Sequence, residues 1–207
     1  MKESDKAWIN QRYSQRLNEE GSTYEALRTG PWERRELRFS IIREIGIQPG
    51  DSVLDVGCGY GDFYDYLNRQ GIQTNYTGFD INPDFVSIAK ERYPEASFEL
   101  KDINNETYDK YDWIISSSCF NLALKSQDNY EFIDEILKSA YSHCNKGVAI
   151  DLFTDYVDFK AENMFYYSPE KIFGMAKKIS KRVCLRHDHP MFEFCVYIYP
   201  DFQGWAK

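Results

Sequence analysis

Hydrophobic positions along the chain follow two periodicities, one typical of buried strands and the other typical of amphipathic helices. Short apolar runs predict strands over 53–57, 76–80, 97–101, 111–117, 147–153, 183–188 and 192–199. Apolar residues three and four positions apart predict helices over 5–18, 32–47, 61–70, 83–92, 129–145 and 168–179. Because strands and helices alternate, the sequence predicts an α/β fold with a mostly parallel sheet covered by helices on both faces.

The last two predicted strands are joined differently from the others. Only His189, Pro190 and Met191 separate strand 183–188 from strand 192–199. A parallel connection needs a crossover of a dozen or more residues, so we expect these two strands to form an antiparallel hairpin.

A glycine-rich turn follows the first predicted strand and carries Gly57, Gly59 and Gly61. Without a Cβ, these positions let the main chain turn tightly and let a ligand approach closely. A dinucleotide-binding turn would have its third glycine where Asp62 stands, and would hold a pyrophosphate at the next helix. Because the carboxylates of Asp55 and Asp62 flank the turn, we expect a nucleotide-like ligand that carries positive charge.

This segment resembles the first motif of the class I S-adenosylmethionine-dependent methyltransferases, an acidic residue followed by G-x-G-x-G at the end of the first strand. The resemblance continues at the next three strand ends, at Asp80, at Asp102 with Ile103, and over 112–120. It implies that Asp80 accepts hydrogen bonds from both ribose hydroxyls, and that Asp102 and Ile103 meet the adenine edge. It also implies that 112–120 ends beside both the methyl donor and the acceptor.

The resemblance thus implies S-adenosylmethionine as cofactor and S-adenosylhomocysteine as product. The residues expected to bind the cofactor are Asp55, Gly57, Cys58, Gly59, Gly61, Asp80, Ile81, Asp102, Ile103, Ser118, Arg38 and Tyr13. Of these, Tyr13 and Arg38 are expected, together with Arg12, to reach the methionine carboxylate.

The implied fold is a Rossmann-like, seven-stranded, mostly parallel sheet that ends in the antiparallel hairpin strand. We interpret the chain as one methyltransferase domain over 1–207. Because a Gly30-Pro31 break follows the first amphipathic helix, residues 1–31 are expected to form a helical arm that acts as a lid. Residues 32–207 then form the core.

Two aromatic-rich segments, the arm over 1–31 and the segment 155–167, are placed to close over the strand ends and exclude water. The residues expected to contact the acceptor are Tyr24, Trp32, Phe120, Tyr156 and Tyr167. Ordinary packing is the alternative for each, because aromatic residues make up 16% of the chain. The segment 117–120 lacks the N/D-P-P-Y/F motif, which disfavours methylation of DNA adenine or glutamine.

The candidate catalytic residues are His187, Asp188 and His189 in the final hairpin. A carboxylate beside an imidazole can orient it as a general base, although a hairpin turn explains the same residues. A further alternative needs no base, because an amine or an already ionised acceptor requires only proximity and alignment. No metal site is indicated.

Charge and cysteine content narrow the partners and the location. The net charge of -8 makes nucleic-acid binding unfavourable overall. The five cysteines form no C-x-x-C pair, which favours reduced thiols and a cytoplasmic location. No apolar run reaches the roughly 18–20 residues that span a membrane.

We therefore expect methyl transfer to a small-molecule acceptor, with O-methylation ahead of N-methylation. The alternatives are an RNA or protein methyltransferase, and a noncatalytic cofactor-binding module of the same fold. The sequence leaves open whether the protein forms a homodimer.

Overall fold

The computed structural model describes residues 1–201. Its strands are β1 (Ser52–Val56), β2 (Asn75–Asp80), β3 (Ser97–Leu100), β4 (Tyr111–Ser116), β5 (Cys144–Phe153), β6 (Arg182–Arg186) and β7 (Glu193–Tyr199). Its helices are α1 (Glu3–Glu20), α2 (Tyr24–Leu27), α3 (Trp32–Arg43), α4 (Asp62–Arg69), α5 (Pro83–Arg92), α6 (Asn129–His143) and α7 (Pro169–Ile179). No helix within residues 1–201 is long and apolar enough to cross a membrane.

The strands form one seven-stranded sheet in the order β3-β2-β1-β4-β5-β7-β6. Strands β1 to β5 pair in parallel where they are neighbours. Strand β7 runs antiparallel to both β5 and β6. The Rossmann-like, mostly parallel sheet and its antiparallel C-terminal hairpin strand are therefore confirmed.

Successive side chains of the central strands point to opposite faces of the sheet, and both faces are buried. Val53 and Ile115 pack with α3, α4 and α5 on one face. Leu54 and Ile114 pack with α6 and α7 on the other. Burial on both sides explains why these strands are continuous apolar runs rather than alternating ones.

Element boundaries differ from the sequence prediction where apolar spacing continues past the end of a helix. Helix α3 ends at Arg43, although Ile45 and Ile47 beyond it are also buried. Gly46 has a φ of 127°, which ordinary residues rarely adopt and which helical backbone does not use. Strand β5 begins at Cys144, immediately after α6, so the predicted helix over 129–145 was two residues too long.

Candidate active site

The glycine turn after β1 is held against the end of β2. The N–H groups of Gly57 and Cys58 both donate to the carbonyl oxygen of Phe79, at 2.7 and 3.1 Å. Gly57 has a φ of 77°, and a Cβ placed on it would lie 2.3 Å from the Cys119 sulfur atom. Both the backbone conformation and the close approach of the loop after β4 therefore require glycine at this position.

Asp80 lies at the end of β2, beside the glycine turn. Its Oδ2 accepts from the Gly59 N–H at 3.0 Å, and its Oδ1 accepts from the Asn82 N–H at 2.9 Å. Each carboxylate oxygen can still accept a further hydrogen bond. Burial raises the pKa of Asp80 to about 6, against the lowering effect of the backbone donors. A ligand that donates to this carboxylate would favour its ionised form.

Asp55, the acidic residue before the turn, is buried with one oxygen unsatisfied. The Tyr76 hydroxyl donates to its Oδ2 at 2.5 Å, whereas its Oδ1 has no hydrogen-bond partner. Burial raises the pKa of Asp55 to about 7 despite the hydrogen bond from Tyr76. An unsatisfied buried carboxylate oxygen at a cavity suits a ligand that brings positive charge or hydrogen-bond donors.

A first cavity of about 110 Å³ lies over the carboxyl ends of β1, β2 and β4. Most of the residues expected to bind the cofactor line it: Asp55, Gly57, Cys58, Gly59, Asp80, Ile81, Ser118, Arg38 and Tyr13. Asn10 and Thr29 also line it, and each has a buried oxygen without a partner. The glycine turn, the carboxylates of Asp55 and Asp80, and these unpartnered oxygen atoms together fit a nucleoside that carries an amino acid group.

Three of the expected cofactor residues, Gly61, Asp102 and Ile103, do not line this cavity. Gly61 instead packs so closely that an added Cβ would lie 2.9 Å from the Tyr93 ring. Oδ2 of Asp102 accepts from the α-amino group of Met1 at 3.0 Å. Ile103 is buried in the core. The adenine contacts of Asp102 and Ile103 therefore stay predictions.

Arg38, which is expected at the methionine carboxylate, binds protein carboxylates in this structure. Its Nε and one terminal nitrogen donate to the two carboxylate oxygens of Glu193, at 2.6 and 2.7 Å. Asp151 lies 3.5 Å from the same Nε. Burial alone would lower the pKa of Arg38, but the hydrogen bonds and charge of Glu193 outweigh it and raise the pKa. Two carboxylates 113 or more positions away thus hold this guanidinium at the edge of the first cavity, and its contact with the methionine carboxylate stays a prediction.

A second cavity, of about 330 Å³, adjoins the first. The two cavities share Tyr13, Leu27, Thr29, Arg38 and Ser118 in their linings. We call these five residues the junction. Apart from Glu162 and Glu193, the second cavity is otherwise lined mainly by apolar side chains and arginines: Leu122, Phe153, Met164, Arg12, Arg16, Arg28 and Arg34 are among them.

Two titratable groups near the junction, Tyr13 and Cys119, are held protonated at neutral pH. Burial raises the pKa of the Tyr13 hydroxyl to about 12. Burial also raises the pKa of the Cys119 thiol well above its ordinary value. The Ser118 N–H donates to Asp151 at 2.6 Å, which holds this loop against β5. Tyr13 and Cys119 are therefore poorly suited to act as a general base near pH 7.

The three candidate catalytic residues lie outside the linings of both cavities. Asp188 forms an ion pair with Arg186 at 2.9 Å and has no hydrogen bond to an imidazole in this structure, so its orienting role stays a prediction. His187 is exposed, with its ring 6.0 Å from that of Phe194. His189 lies in a separate small cavity beside Arg38 and Glu193, and burial lowers its pKa.

The five aromatic residues expected at the acceptor also lie outside both linings. Tyr24 and Trp32 stack with the Arg35 guanidinium, 5.5 and 4.8 Å from their ring centroids. Tyr167 is fully buried and its hydroxyl donates to the carbonyl oxygen of Phe120 at 2.9 Å. Tyr156 is exposed and its hydroxyl donates to Glu170. These contacts are those of the packing alternative, and contact of the five aromatic residues with the acceptor stays a prediction.

Two lining residues had no role in the sequence prediction. Asn10 projects from α1 and donates from Nδ2 to the carbonyl oxygen of Ile81 at 2.9 Å. Thr29 lies in the loop before α3, and its carbonyl oxygen accepts from Arg38 at 3.2 Å. The one signal available for Asn10 was its place on an amphipathic helix expected to cover the site.

Comparison with known proteins identifies the family. Residues 53–143 match the family model described as a methyltransferase domain. The chain is 32% identical over 153 residues to the Mycobacterium tuberculosis protein named "Putative methyltransferase Rv1506c", and the match covers 71% of this chain and 92% of that protein. It is 26% identical over 190 residues to the mitochondrial ubiquinone biosynthesis O-methyltransferase of Saccharomyces cerevisiae, covering 84% of this chain and 61% of the relative. Further relatives include other O-methyltransferases and a ribosomal RNA methyltransferase.

The fold is shared with solved methyltransferase structures. The plantazolicin methyltransferase BpumL, in complex with a pentazolic desmethylPZN analog and S-adenosylhomocysteine, superposes with a TM-score of 0.68 at 14% identity. The match covers 95% of this chain and 96% of that one. Together with the glycine turn and the carboxylates around it, these findings identify an enzyme that uses S-adenosylmethionine. The chain belongs to the class I S-adenosylmethionine-dependent methyltransferases.

Proposed function

We propose that the chain transfers a methyl group from S-adenosylmethionine in the first cavity to a small molecule in the second. The observation that carries this proposal is that the two cavities meet at the junction, at the carboxyl ends of the strands. When bound, the cofactor supplies an electrophilic methyl group on a sulfonium. Asp80 would accept from the ribose hydroxyls, and Asp55 would face the positive charge of the methionine portion.

The junction supports a reaction without a general base from the protein. Tyr13 and Cys119 stay protonated at neutral pH, and none of the three histidines lines either cavity. The carboxylates that contact the junction, Asp151 and Glu193, are already paired with Arg38. An acceptor with an ionised oxygen or a neutral amine would need only alignment with the methyl group. The yeast relative is named an O-methyltransferase, which supports oxygen as the methylated atom.

The first prediction concerns Asp80. Asp80→Ala removes hydrogen bonds to a charged group, each worth about 1.5–3 kcal/mol, so calorimetry should show at least a tenfold loss of S-adenosylhomocysteine affinity. Asp109→Ala is the matched control, because Asp109 is an exposed carboxylate outside both cavities. We expect the control to bind as the wild type does. Equal affinity of Asp80→Ala and wild type would refute the ribose assignment.

The pH dependence of binding follows from the raised pKa of Asp80. In the free protein this carboxyl is half protonated near pH 6, whereas ribose hydroxyls donate to the ionised form. Affinity should therefore be highest above pH 7 and should fall as the pH is lowered through 6. Titrations in buffers of different ionisation enthalpy should detect proton release on binding at pH 6.

A second prediction concerns the arm over 1–31. The first cavity, at about 110 Å³, is well below the roughly 300–1,000 Å³ of typical ligand pockets, so cofactor entry requires the arm to move. Helix α1 is held by polar contacts that can open, including Asn10 with Ile81 and Ser14 with Asp84 at 2.7 Å. We expect amide hydrogen exchange in α1 to slow when S-adenosylhomocysteine binds, while α7, away from both cavities, is unchanged. Equal exchange of α1 with and without ligand would argue against a lid.

The proposed function is tested by incubating the enzyme with a small-molecule metabolite extract and S-adenosylmethionine carrying a labelled methyl group. A labelled product of low mass, absent with Asp80→Ala, would support the proposal. Label found only in RNA or protein, when these are supplied, would favour the macromolecular alternatives. Cofactor binding without product from any pool would favour a noncatalytic module. The cytoplasmic location is kept as a proposal on the five cysteines, all of which are unpaired.

A further inference from the structure

Arginine side chains surround the second cavity. Arg12 and Arg16 project from α1, Arg28 follows α2, and Arg34 and Arg38 belong to α3. The acidic residues in the lining are Glu162 and Glu193. This local excess of positive charge contrasts with the net charge of -8 of the whole chain. The positive charge of the cavity therefore comes from these arginines and is opposite in sign to the charge of the whole chain.

Three of these arginines are already paired with carboxylates. Arg28 lies 2.9 Å from Glu20, which is itself outside the lining. Arg34 lies 3.4 Å from Glu193, and Arg38 binds the same carboxylate through two hydrogen bonds. These contacts occupy Glu20 and Glu193, whereas Glu162, the other carboxylate of the lining, forms no ion pair within residues 1–201.

Arg12 and Arg16 lack such partners. Among residues 1–201 neither forms an ion pair, and each guanidinium instead lies over an aromatic ring, Arg12 over Trp8 at 5.9 Å and Arg16 over Tyr13 at 5.4 Å. The Nε of Arg12 is buried and has no hydrogen-bond partner. Burial and then the like charge of Arg12 lower the pKa of Arg16. Two half-buried guanidinium groups that repel each other would be stabilised by an anion between them.

One wall of the second cavity is apolar. Leu27, Leu122, Phe153 and Met164 line it. An occupant that satisfies both parts has an apolar body and one anionic group. A polar sugar phosphate would leave the apolar wall without contacts, and a neutral apolar molecule would leave the arginine pair without a counterion.

We propose that the second cavity binds an organic anion with an apolar body, whose carboxylate or phosphate group lies at Arg12 and Arg16. This rests on the proposed function only for the statement that the occupant is the methyl acceptor. The anion binds as it exists at neutral pH, and its apolar body extends along Leu122, Phe153 and Met164. An ionised acceptor also agrees with a junction that offers no general base. If the carboxylate itself reacts, its oxygen forms the new C–O bond, the C–S bond breaks, and no proton is released.

The test measures binding to protein saturated with S-adenosylhomocysteine. Calorimetry compares octanoate, octyl phosphate, octanol and octylamine, which share one apolar chain and differ in charge. We expect octanoate or octyl phosphate to bind at least about tenfold more tightly than octanol and octylamine. The preferred headgroup then separates a carboxylate from a phosphate ligand.

The variant is Arg16→Gln alone, because Arg12 is also expected at the methionine carboxylate of the cofactor. The matched control is Lys90→Gln, which removes the same charge from an exposed position outside both cavities. The arginine variant should lose at least about tenfold in anion affinity and keep its S-adenosylhomocysteine affinity, while the control keeps both. Retained cofactor binding shows that the variant is folded and that the cofactor site is intact.

Two results would overturn the proposal. One is equal binding of octanol and the anions, or an arginine variant that binds the anions as the wild type does. The other is a single-stranded RNA oligonucleotide that binds through Arg12 and Arg16 while neither anion binds, which would assign the pair to a macromolecule. Cofactor binding to the wild-type protein is measured separately. If the wild-type protein does not bind S-adenosylhomocysteine, the proposed function is refuted instead.

Discussion

Replacing Gly57 by alanine should reduce the affinity for S-adenosylhomocysteine by at least about 100-fold. The added Cβ would lie 2.3 Å from the Cys119 sulfur atom and 2.7 Å from its Cβ, so either the turn or the loop after β4 must shift. Both border the first cavity, and the left-handed backbone at Gly57 is strained for any other residue. Calorimetry on protein shown to be folded by its urea unfolding midpoint measures the effect.

Gly71→Ala is the matched control. Gly71 has a φ of 73°, close to that of Gly57, but a Cβ there would meet nothing within 4 Å. It therefore reproduces the backbone strain without the collision, and we expect cofactor affinity to change by less than about twofold. Wild-type affinity in Gly57→Ala would mean that the close approach of the turn and Cys119 does not shape the cofactor site.

Replacing Arg38 by methionine should lower the free energy of unfolding by about 3–5 kcal/mol at pH 8. The substitution removes the cation that balances Glu193 and Asp151, whose side chains are 1% and 3% exposed. Breaking a buried pair leaves uncompensated charge, which costs far more than losing a surface pair. Urea unfolding is the measurement, because the transition midpoint and slope give the free energy.

The loss should be smaller at pH 5 than at pH 8. Burial already raises the pKa of Asp151 to about 7 in the presence of Arg38, and removing this cation raises it further. A carboxyl whose pKa is higher in the folded than in the unfolded state binds more protons when folded, so its contribution to stability is lost as the pH rises through the folded pKa.

Arg69→Met is the control for this prediction. Arg69 also contacts two carboxylates, Glu36 and Asp65, but its side chain is 39% exposed. Exposed pairs contribute about 0–1 kcal/mol, so the control should be less than about 1 kcal/mol less stable than the wild type. If the two substitutions lower the free energy of unfolding equally, or if the loss in Arg38→Met does not depend on pH, the buried ion cluster of Arg38, Glu193 and Asp151 would be contradicted.

The sheet could be predicted because its determinants are local in the sequence. Each central strand is an apolar run, and the short connection between 183–188 and 192–199 requires the antiparallel pairing seen for β6 and β7. The proximity of the glycine turn and Asp80 could be predicted in the same way, because the carboxyl ends of neighbouring parallel strands meet at one edge of the sheet. The missed helix α2 has four residues and carries no periodicity of its own.

The second cavity could not be predicted, because it forms from segments far apart in the chain. Arg38 meets Glu193 across 155 positions, and no local pattern indicates that pairing. Asp188 was expected to contact the imidazoles next to it in the sequence. In an extended chain, however, side chains two positions apart lie on the same side. Asp188 therefore meets Arg186 rather than the neighbouring imidazoles. Aromatic content likewise does not distinguish a ring that packs in the core, as that of Tyr167 does, from one that contacts a ligand.

A crystal structure of this chain with S-adenosylhomocysteine tests the central claim most directly. The account predicts the ligand in the first cavity, with its ribose hydroxyls within hydrogen-bond distance of the Asp80 carboxylate. It also predicts the sulfur atom at the junction, facing the second cavity between Tyr13 and Ser118. A ligand bound elsewhere, or bound with its sulfur directed away from the junction, would contradict the proposed path of methyl transfer.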